Sequence, residues 1–242
     1  MRLCDYPLIR AMKPNLLFLP GFMLNEHLWD MVYPDLSRCG ALYFGDLSQD
    51  DTIDAMAERV LQSAPPSFYL FGFSMGGFVA QAIALKAPER VLGLGLLNTS
   101  CRPQSTQESS ATLTQIALAE KTPFKGLTSR ALASAVHPDR AKDTALIGRL
   151  QQMALDNGKA VFLRQLAALR DARDANLEAI QCPVLIMSSD ADQLRTVQES
   201  QEMAQRIPHA EMHIIPQCGH MTPLETPAAF VDIITTWVQQ QS

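Results

Sequence analysis

The strongest chemical signal in this chain of 242 residues is one serine set among glycines, Gly72-Phe73-Ser74-Met75-Gly76. An apolar run, Phe68–Phe73, leads directly into it, and a helical pattern opens directly behind it. In that strand–turn–helix frame a G-x-S-x-G pentapeptide reads as a nucleophile elbow. The turn is tight enough to force strained dihedrals on Ser74, and the flanking glycines leave room for the backbone to fold back. The hydroxyl is thereby lifted to the carboxyl end of the sheet, where open α/β sheets bind ligands. The helix that follows supplies unpaired N–H groups and positive potential.

A serine hydroxyl is a weak nucleophile without a base. The chain has five histidines, His27, His137, His209, His213 and His220. His209 and His213 fall at or in the last strand, His27 follows the first loop and could line a pocket, and His137 precedes a proline. His220, in Gln217-Cys218-Gly219-His220-Met221, follows the last strand and so faces the same rim as Ser74. It is the expected base. The base needs an orienting carboxylate, and two compete after the fifth strand in Ser188-Ser189-Asp190-Ala191-Asp192. Asp192 lies further past the strand end, where the loop can turn toward His220, and is the expected acid. Asp190 is expected to bond the loop backbone. A developing oxyanion needs two donors: the backbone N–H of Met75 and, from Pro20-Gly21-Phe22-Met23 after the first strand, that of Phe22.

Six short apolar runs must position these groups: Asn15–Leu19, Ala41–Phe44, Phe68–Phe73, Val91–Leu97, Val184–Ser188 and Glu211–Ile215. Continuous apolar runs bounded by turn residues suit parallel strands covered on both faces. Helices are expected at Thr52–Gln62 (capped by Asp51), Gly76–Ala87, Val197–Arg206 and Ala228–Gln239. This alternation implies an α/β fold with a doubly wound, mostly parallel sheet of about six strands. It breaks between the fourth and fifth strands. There, helical patterns at Gln107–Glu120, Leu127–Val136, Asp139–Asp156 and Lys159–Asp171 form an insertion, residues 101–179, far longer than one crossover needs. Residues 1–100 and 180–242 make the core.

Composition narrows the classes. Apolar residues are 47% and charged residues 19%, which excludes a disordered chain, a fibrous repeat and a coiled coil. A formal charge of −5 without a basic run argues against nucleic acid as a partner. No stretch of about 18 uncharged apolar residues predicts a membrane span. The N-terminus, interrupted by Asp5, does not read as a signal peptide. The five cysteines, Cys4, Cys39, Cys101, Cys182 and Cys218, are scattered without a C-x-x-C, as in reduced thiols of a cytoplasmic protein. No H-E-x-x-H, C-x-x-C or phosphate loop occurs, so neither metal nor nucleotide is expected. Gly93-Leu94-Gly95 lies inside a strand and reads as packing.

The blocks LFLPGFMLNEHLWD, GFSMGGFVAQAIALKAPERV, PVLIMSSDADQL and IIPQCGHMTPLETP together resemble the successive blocks of the α/β-hydrolase superfamily. They are similar to its small lidded carboxylesterases and carrier-protein methyl-ester esterases. The order Ser74, Asp192, His220 matches that superfamily. The resemblance implies a Ser74–His220–Asp192 triad, Phe22 and Met75 as oxyanion donors, a helical lid at 101–179 and no cofactor. Three departures stand out. Pro20 replaces the usual His, Ser189 stands where Gly is frequent, and the leading hairpin is expected to be missing or reduced. Ser74 excludes the aspartate-nucleophile dehalogenases and epoxide hydrolases. Asn98, where some relatives keep the acid, cannot serve as one.

The expected function is hydrolysis of a small carboxylic ester, thioester or lactone with an apolar group, through an acyl-enzyme. The alternatives are C–C bond hydrolysis or perhydrolysis by the same triad, or slow-turnover sensing of a small ligand. Removal of residues 105–175 is expected to alter chain-length preference before ester cleavage is lost.

Overall fold

A computed structural model describes residues 13–171, 175–207 and 209–241. Cys4, Asp5 and the leading segment expected to lack its hairpin lie outside the described residues. Six strands form one sheet: β1 (Asn15–Leu19), β2 (Ala41–Phe44), β3 (Phe68–Phe73), β4 (Val91–Leu97), β5 (Val184–Ser189) and β6 (Ala210–Ile215). The order is β2-β1-β3-β4-β5-β6 and every pairing is parallel.

Side chains alternate across the sheet, as the two-residue period of a strand requires. Leu16, Phe18, Tyr69, Phe71 and Phe73 pack on one face with α1 (Tyr33–Cys39) and the C-terminal helix; Leu17, Leu19, Phe68 and Leu70 pack on the other with α2 (Ile53–Ser63) and α3 (Met75–Lys86). Both faces are therefore covered, and the central strands β3 and β5 are buried along their whole length. β2 and β6 depart from the expectation of full coverage. They are the sheet edges, and apart from the buried Ile215 their residues are only partly buried or exposed. Gly93 of β4 leaves the space that the rings of Trp237 and Tyr69 occupy.

Helix α2 is capped by the Thr52 side chain, which accepts from the Ala55 N–H at 3.2 Å, and not by the expected Asp51. Threonine one residue later places its oxygen over the open first turn. Between β4 and β5 lie α4 (Thr106–Lys121), α5 (Ser129–Ser134) and α6 (Thr144–Asp171). Helix α4 begins on a capping box, Ser105 with Glu108. Helix α5 is shorter than its apolar pattern suggested because Thr128 caps it. The expected helix start at Asp139 moves to Thr144, since Pro138–Arg140 is a single 3₁₀ turn. Helix α6 is broken at Gly158 (φ 74°, ψ −178°), the expected Asn157-Gly158 boundary. Leu146, Leu150 and Met153 turn inward.

The chain closes with α7 (Val197–Arg206), β6, a single turn α8 (Thr222–Glu225) and α9 (Pro227–Gln240). No described helix is long and apolar enough to cross a membrane.

The strand order has one consequence for the site. From β1 the chain runs outward to β2, then returns to place β3 on the other side of β1. Such a reversal opens a crevice at the carboxyl ends of β1 and β3. The loop Pro20–Met23 leaves β1 there, and Ser74 leaves β3 there.

Candidate active site

Ser74 adopts φ 51°, ψ −116°, a region an L-residue rarely enters. Three hydrogen bonds hold it. Its N–H donates to the Leu97 carbonyl (2.9 Å), and its own carbonyl accepts from the Gly77 N–H (2.9 Å) and the Thr99 hydroxyl (2.7 Å). Close packing makes the neighbouring glycines necessary. A Cβ on Gly72 would strike the Gly76 carbonyl, and one on Gly76 would strike the carbonyls of Leu19 and Pro20. Met75 is the first residue of α3, so its N–H belongs to the turn whose donors have no partner within the helix.

His220, only 2% exposed, brings Nε2 to 2.8 Å from Ser74 Oγ and Nδ1 to 2.7 Å from Asp192 Oδ2. The Phe73 ring lies against its imidazole, centroids 5.0 Å apart. The structure thus brings together Ser74, His220 and Asp192. Asp190 points elsewhere: its carboxylate accepts from the Cys218 N–H at 3.3 Å, the backbone role expected of it.

Asp192 is buried yet amply partnered. Oδ1 accepts from the N–H groups of Leu194 (2.8 Å) and Arg195 (2.9 Å), and Oδ2 accepts from Asn98 Nδ2 (3.0 Å) as well as facing His220. Burial by itself pushes its pKa up. His220, the Arg195 N–H and Asn98 more than offset that, so the carboxyl sits below its ordinary range.

Several of these supports were not legible in the sequence. Asn98, an amide that cannot itself serve as the acid, donates to Asp192 and to Ser189 Oγ (2.8 Å) and accepts from Thr222 Oγ1 (2.9 Å). Ser189 donates to the Gly219 carbonyl and ties the loop of Asp192 to the loop of His220. Glu225 accepts from the Met221 N–H (3.0 Å) and the His137 N–H (2.7 Å), joining the histidine loop to the insertion. A buried polar residue after a strand end, such as Asn98, is the one signal that could have pointed to this network.

Three of the other histidines stand apart. His27 lines a surface cleft with Asp30 and Arg149, His209 is exposed, and His213 pairs with Glu211 at 2.6 Å. Burial pushes the Cys218 thiol up to about 12 and that of Cys182 up to about 11, which leaves both protonated at neutral pH.

Ser74 and His220 share one wall of a cavity of about 170 Å³. The rest of its lining is apolar, with Phe22 and Leu24 from the first loop, Leu132, Ala135 and Leu150 from the insertion, and Met221 among the contributors. Two larger and more polar cavities, about 440 and 580 Å³, include neither Ser74 nor His220.

An all-parallel sheet with this elbow at its switch point defines a recognisable class. Residues 16–233 match the model of the alpha/beta hydrolase family, and the chain belongs to that family. It is 30% identical over 238 residues to the pimeloyl-[acyl-carrier protein] methyl ester esterase of Nitrosomonas europaea, covering 90% of this chain and 93% of that protein. An esterase of Mycobacterium tuberculosis is 24% identical over 245 residues, covering 91% of this chain and 81% of its own. Among solved structures, a thermophilic esterase from Thermogutta terrifontis superposes with a TM-score of 0.86 at 24% identity, over 95% of this chain and 91% of that one. An enol-lactonase from Burkholderia xenovorans superposes at 0.78 and 18% identity, over 93% and 91%. At these identities the structural likeness speaks to the fold.

The lowered pKa of Asp192 has a definite sign in stability. A carboxyl with a depressed native pKa stabilises the fold fully above its unfolded pKa, about 3.9, and that contribution is lost as pH falls through the native value. The unfolding free energy of the wild type should therefore exceed that of Asp192→Asn by more at pH 6 than at pH 3.5, in urea melts of both proteins. A gap that widens toward acid would contradict the assignment.

Proposed function

We propose that this protein is a serine carboxylic-ester hydrolase working through an acyl-enzyme on Ser74. The observation that carries this is the relay Ser74 Oγ to His220 Nε2 at 2.8 Å and His220 Nδ1 to Asp192 at 2.7 Å, in the wall of an apolar cavity. His220 takes the Ser74 proton as Oγ attacks the carbonyl carbon. Asp192 holds the tautomer that presents Nε2 as acceptor and steadies the imidazolium that forms. The oxyanion is received by the N–H groups of Phe22 and Met75. His220 then returns the proton to the departing alcohol. Water, deprotonated by the same imidazole, repeats the attack and frees the acid.

The cavity argues for an ester with an apolar acyl group. A dry apolar cavity of 150 Å³ holds a benzene molecule, so the space of about 170 Å³ suits a group of about six carbons. The esterase names of the relatives, the carrier-protein methyl-ester enzyme among them, support an ester substrate. Leu132, Ala135 and Leu150 reach the cavity from the insertion, which supports reading residues 101–179 as a lid over the catalytic core 1–100 and 180–242.

Ser74→Ala should lose all labelling by a fluorophosphonate probe with an unchanged far-UV circular dichroism spectrum; labelling that persists moves the nucleophile elsewhere. Asp192→Asn should lower kcat by about a thousandfold or more, whereas Asp190→Asn should cost less than about tenfold. The reverse ranking in steady-state assays would exchange their roles. Across p-nitrophenyl esters, kcat/KM should peak at acyl chains of about four to six carbons. Ala135→Leu should shift that peak to acetate, and an unmoved profile would take the acyl group out of this cavity.

A further inference from the structure

The turn that carries the Phe22 N–H is built against its own preferences. In Gly21-Phe22-Met23-Leu24 the Leu24 N–H donates to the Gly21 carbonyl at 3.2 Å, closing a β-turn. In a trans peptide the N–H and C=O point to opposite sides. Fixing the Gly21 carbonyl therefore fixes the direction of the Phe22 N–H. Met23 occupies the third position of this turn at φ 56°, a place normally given to glycine or asparagine. A long side chain there needs external support.

That support comes from the insertion. The Met23 N–H donates to Gln165 Oε1 at 2.8 Å, across 142 residues of sequence. Gln165 is 1% exposed, and its Nε2 donates to the Leu47 carbonyl at 3.1 Å, which settles which end of the amide faces Met23. The Met23 side chain is fully buried against Ala154 and Val161 of α6. From the same helix Asn157 Nδ2 donates to the Leu24 carbonyl at 3.2 Å. Helix α6 thus holds the N–H of the turn's left-handed residue and the carbonyl of the residue that follows it.

We infer that Gln165 is a positioning residue for the oxyanion site: it keeps the Gly21–Leu24 turn in the conformation that aims the Phe22 N–H at the Ser74 reaction centre. The inference rests on the serine-hydrolase reading above. Gln165 touches no reacting atom. Without it the Met23 N–H and the Leu47 carbonyl would both be buried without that partner, and a turn able to relax to φ below zero would swing the donor away.

The test uses the full chain carrying Gln165→Met, which keeps volume and removes both hydrogen bonds. Hydrolysis of p-nitrophenyl butyrate, inhibition by a trifluoromethyl ketone and labelling of Ser74 by a fluorophosphonate are measured beside the wild type. In the ketone adduct Ser74 Oγ bonds the carbonyl carbon, its proton passes to His220, and the ketone oxygen becomes the anion in the oxyanion site. Expected is a fall in kcat of about tenfold to a hundredfold, with KM changed less than about threefold. The ketone inhibition constant should rise in step with the loss of kcat/KM. Asn157→Ala, at a partly exposed position, should show the same pattern at about three- to tenfold and decides the matter if Gln165→Met does not fold. Wild-type kcat in folded variants, a raised KM at unchanged kcat, or unaltered affinity for the ketone would overturn the inference while leaving the esterase reading intact. A wild type that neither turns over nor labels at Ser74 would overturn the esterase reading itself.

Discussion

Ser74 holds a backbone conformation that an L-residue adopts only under compulsion, and the architecture around it supplies the compulsion. Strand β4 accepts its N–H through Leu97, and Gly77 and Thr99 bind its carbonyl. Backbone strain of this kind costs about 1–3 kcal/mol and persists only where surrounding structure over-determines it. Here the over-determination comes from the sheet interior, which is buried on both faces and cannot yield locally. The tight elbow also explains why side chains are absent at Gly72 and Gly76, whose Cβ positions are already filled by backbone.

A buried carboxylate is the second demand. Moving a charge out of water is costly unless hydrogen bonds replace the hydration shell. Asp192 meets that condition with two backbone N–H groups, the Asn98 amide and His220. Asn98 adopts a left-handed φ of 44° to reach it and is itself held by Ser189 and Thr222. The result is one connected polar network in which each loop at the rim constrains the next. Ser189 joins the acid loop to the histidine loop through the Gly219 carbonyl. In the proposed mechanism this network keeps the imidazole oriented when it becomes charged.

The insertion has polar ties of its own to the loops of the rim. Arg149 donates to the His27 carbonyl (2.6 Å), Asn157 to the Leu24 carbonyl and Gln165 bridges Met23 to Leu47, all from α6; Glu225 links His137 to the residue after His220. Under the proposed mechanism these ties connect turnover itself to the inserted segment, whereas the sequence pattern suggested a part that governs chain-length preference first.

The local chemistry of the chain was open to reading in one dimension. Short runs ended by turn residues marked all six strands to within a residue; in the inner strands burial on two faces leaves little choice of side chain. The glycine spacing at 72 and 76 marked the elbow, because no other residue fits there. Position after the last strands singled out His220 and Asp192, since parallel strands bring all their carboxyl ends to one rim. The edge status of β2 and β6, the Thr52 cap and the short α5 depended on neighbours and local geometry that apolar patterning does not encode. Only the tertiary structure decided the roles of Asn98, Ser189, Glu225 and Gln165. Asn98, Glu225 and Gln165 are ordinary polar residues with a partner 88 to 142 residues away, as between Asn98 and Asp192, His137 and Glu225, or Met23 and Gln165, and Ser189 reaches Gly219 across 30. A hydrogen bond across such a distance exists only once the sheet has closed, so nothing in the spacing of residues along the chain can announce it.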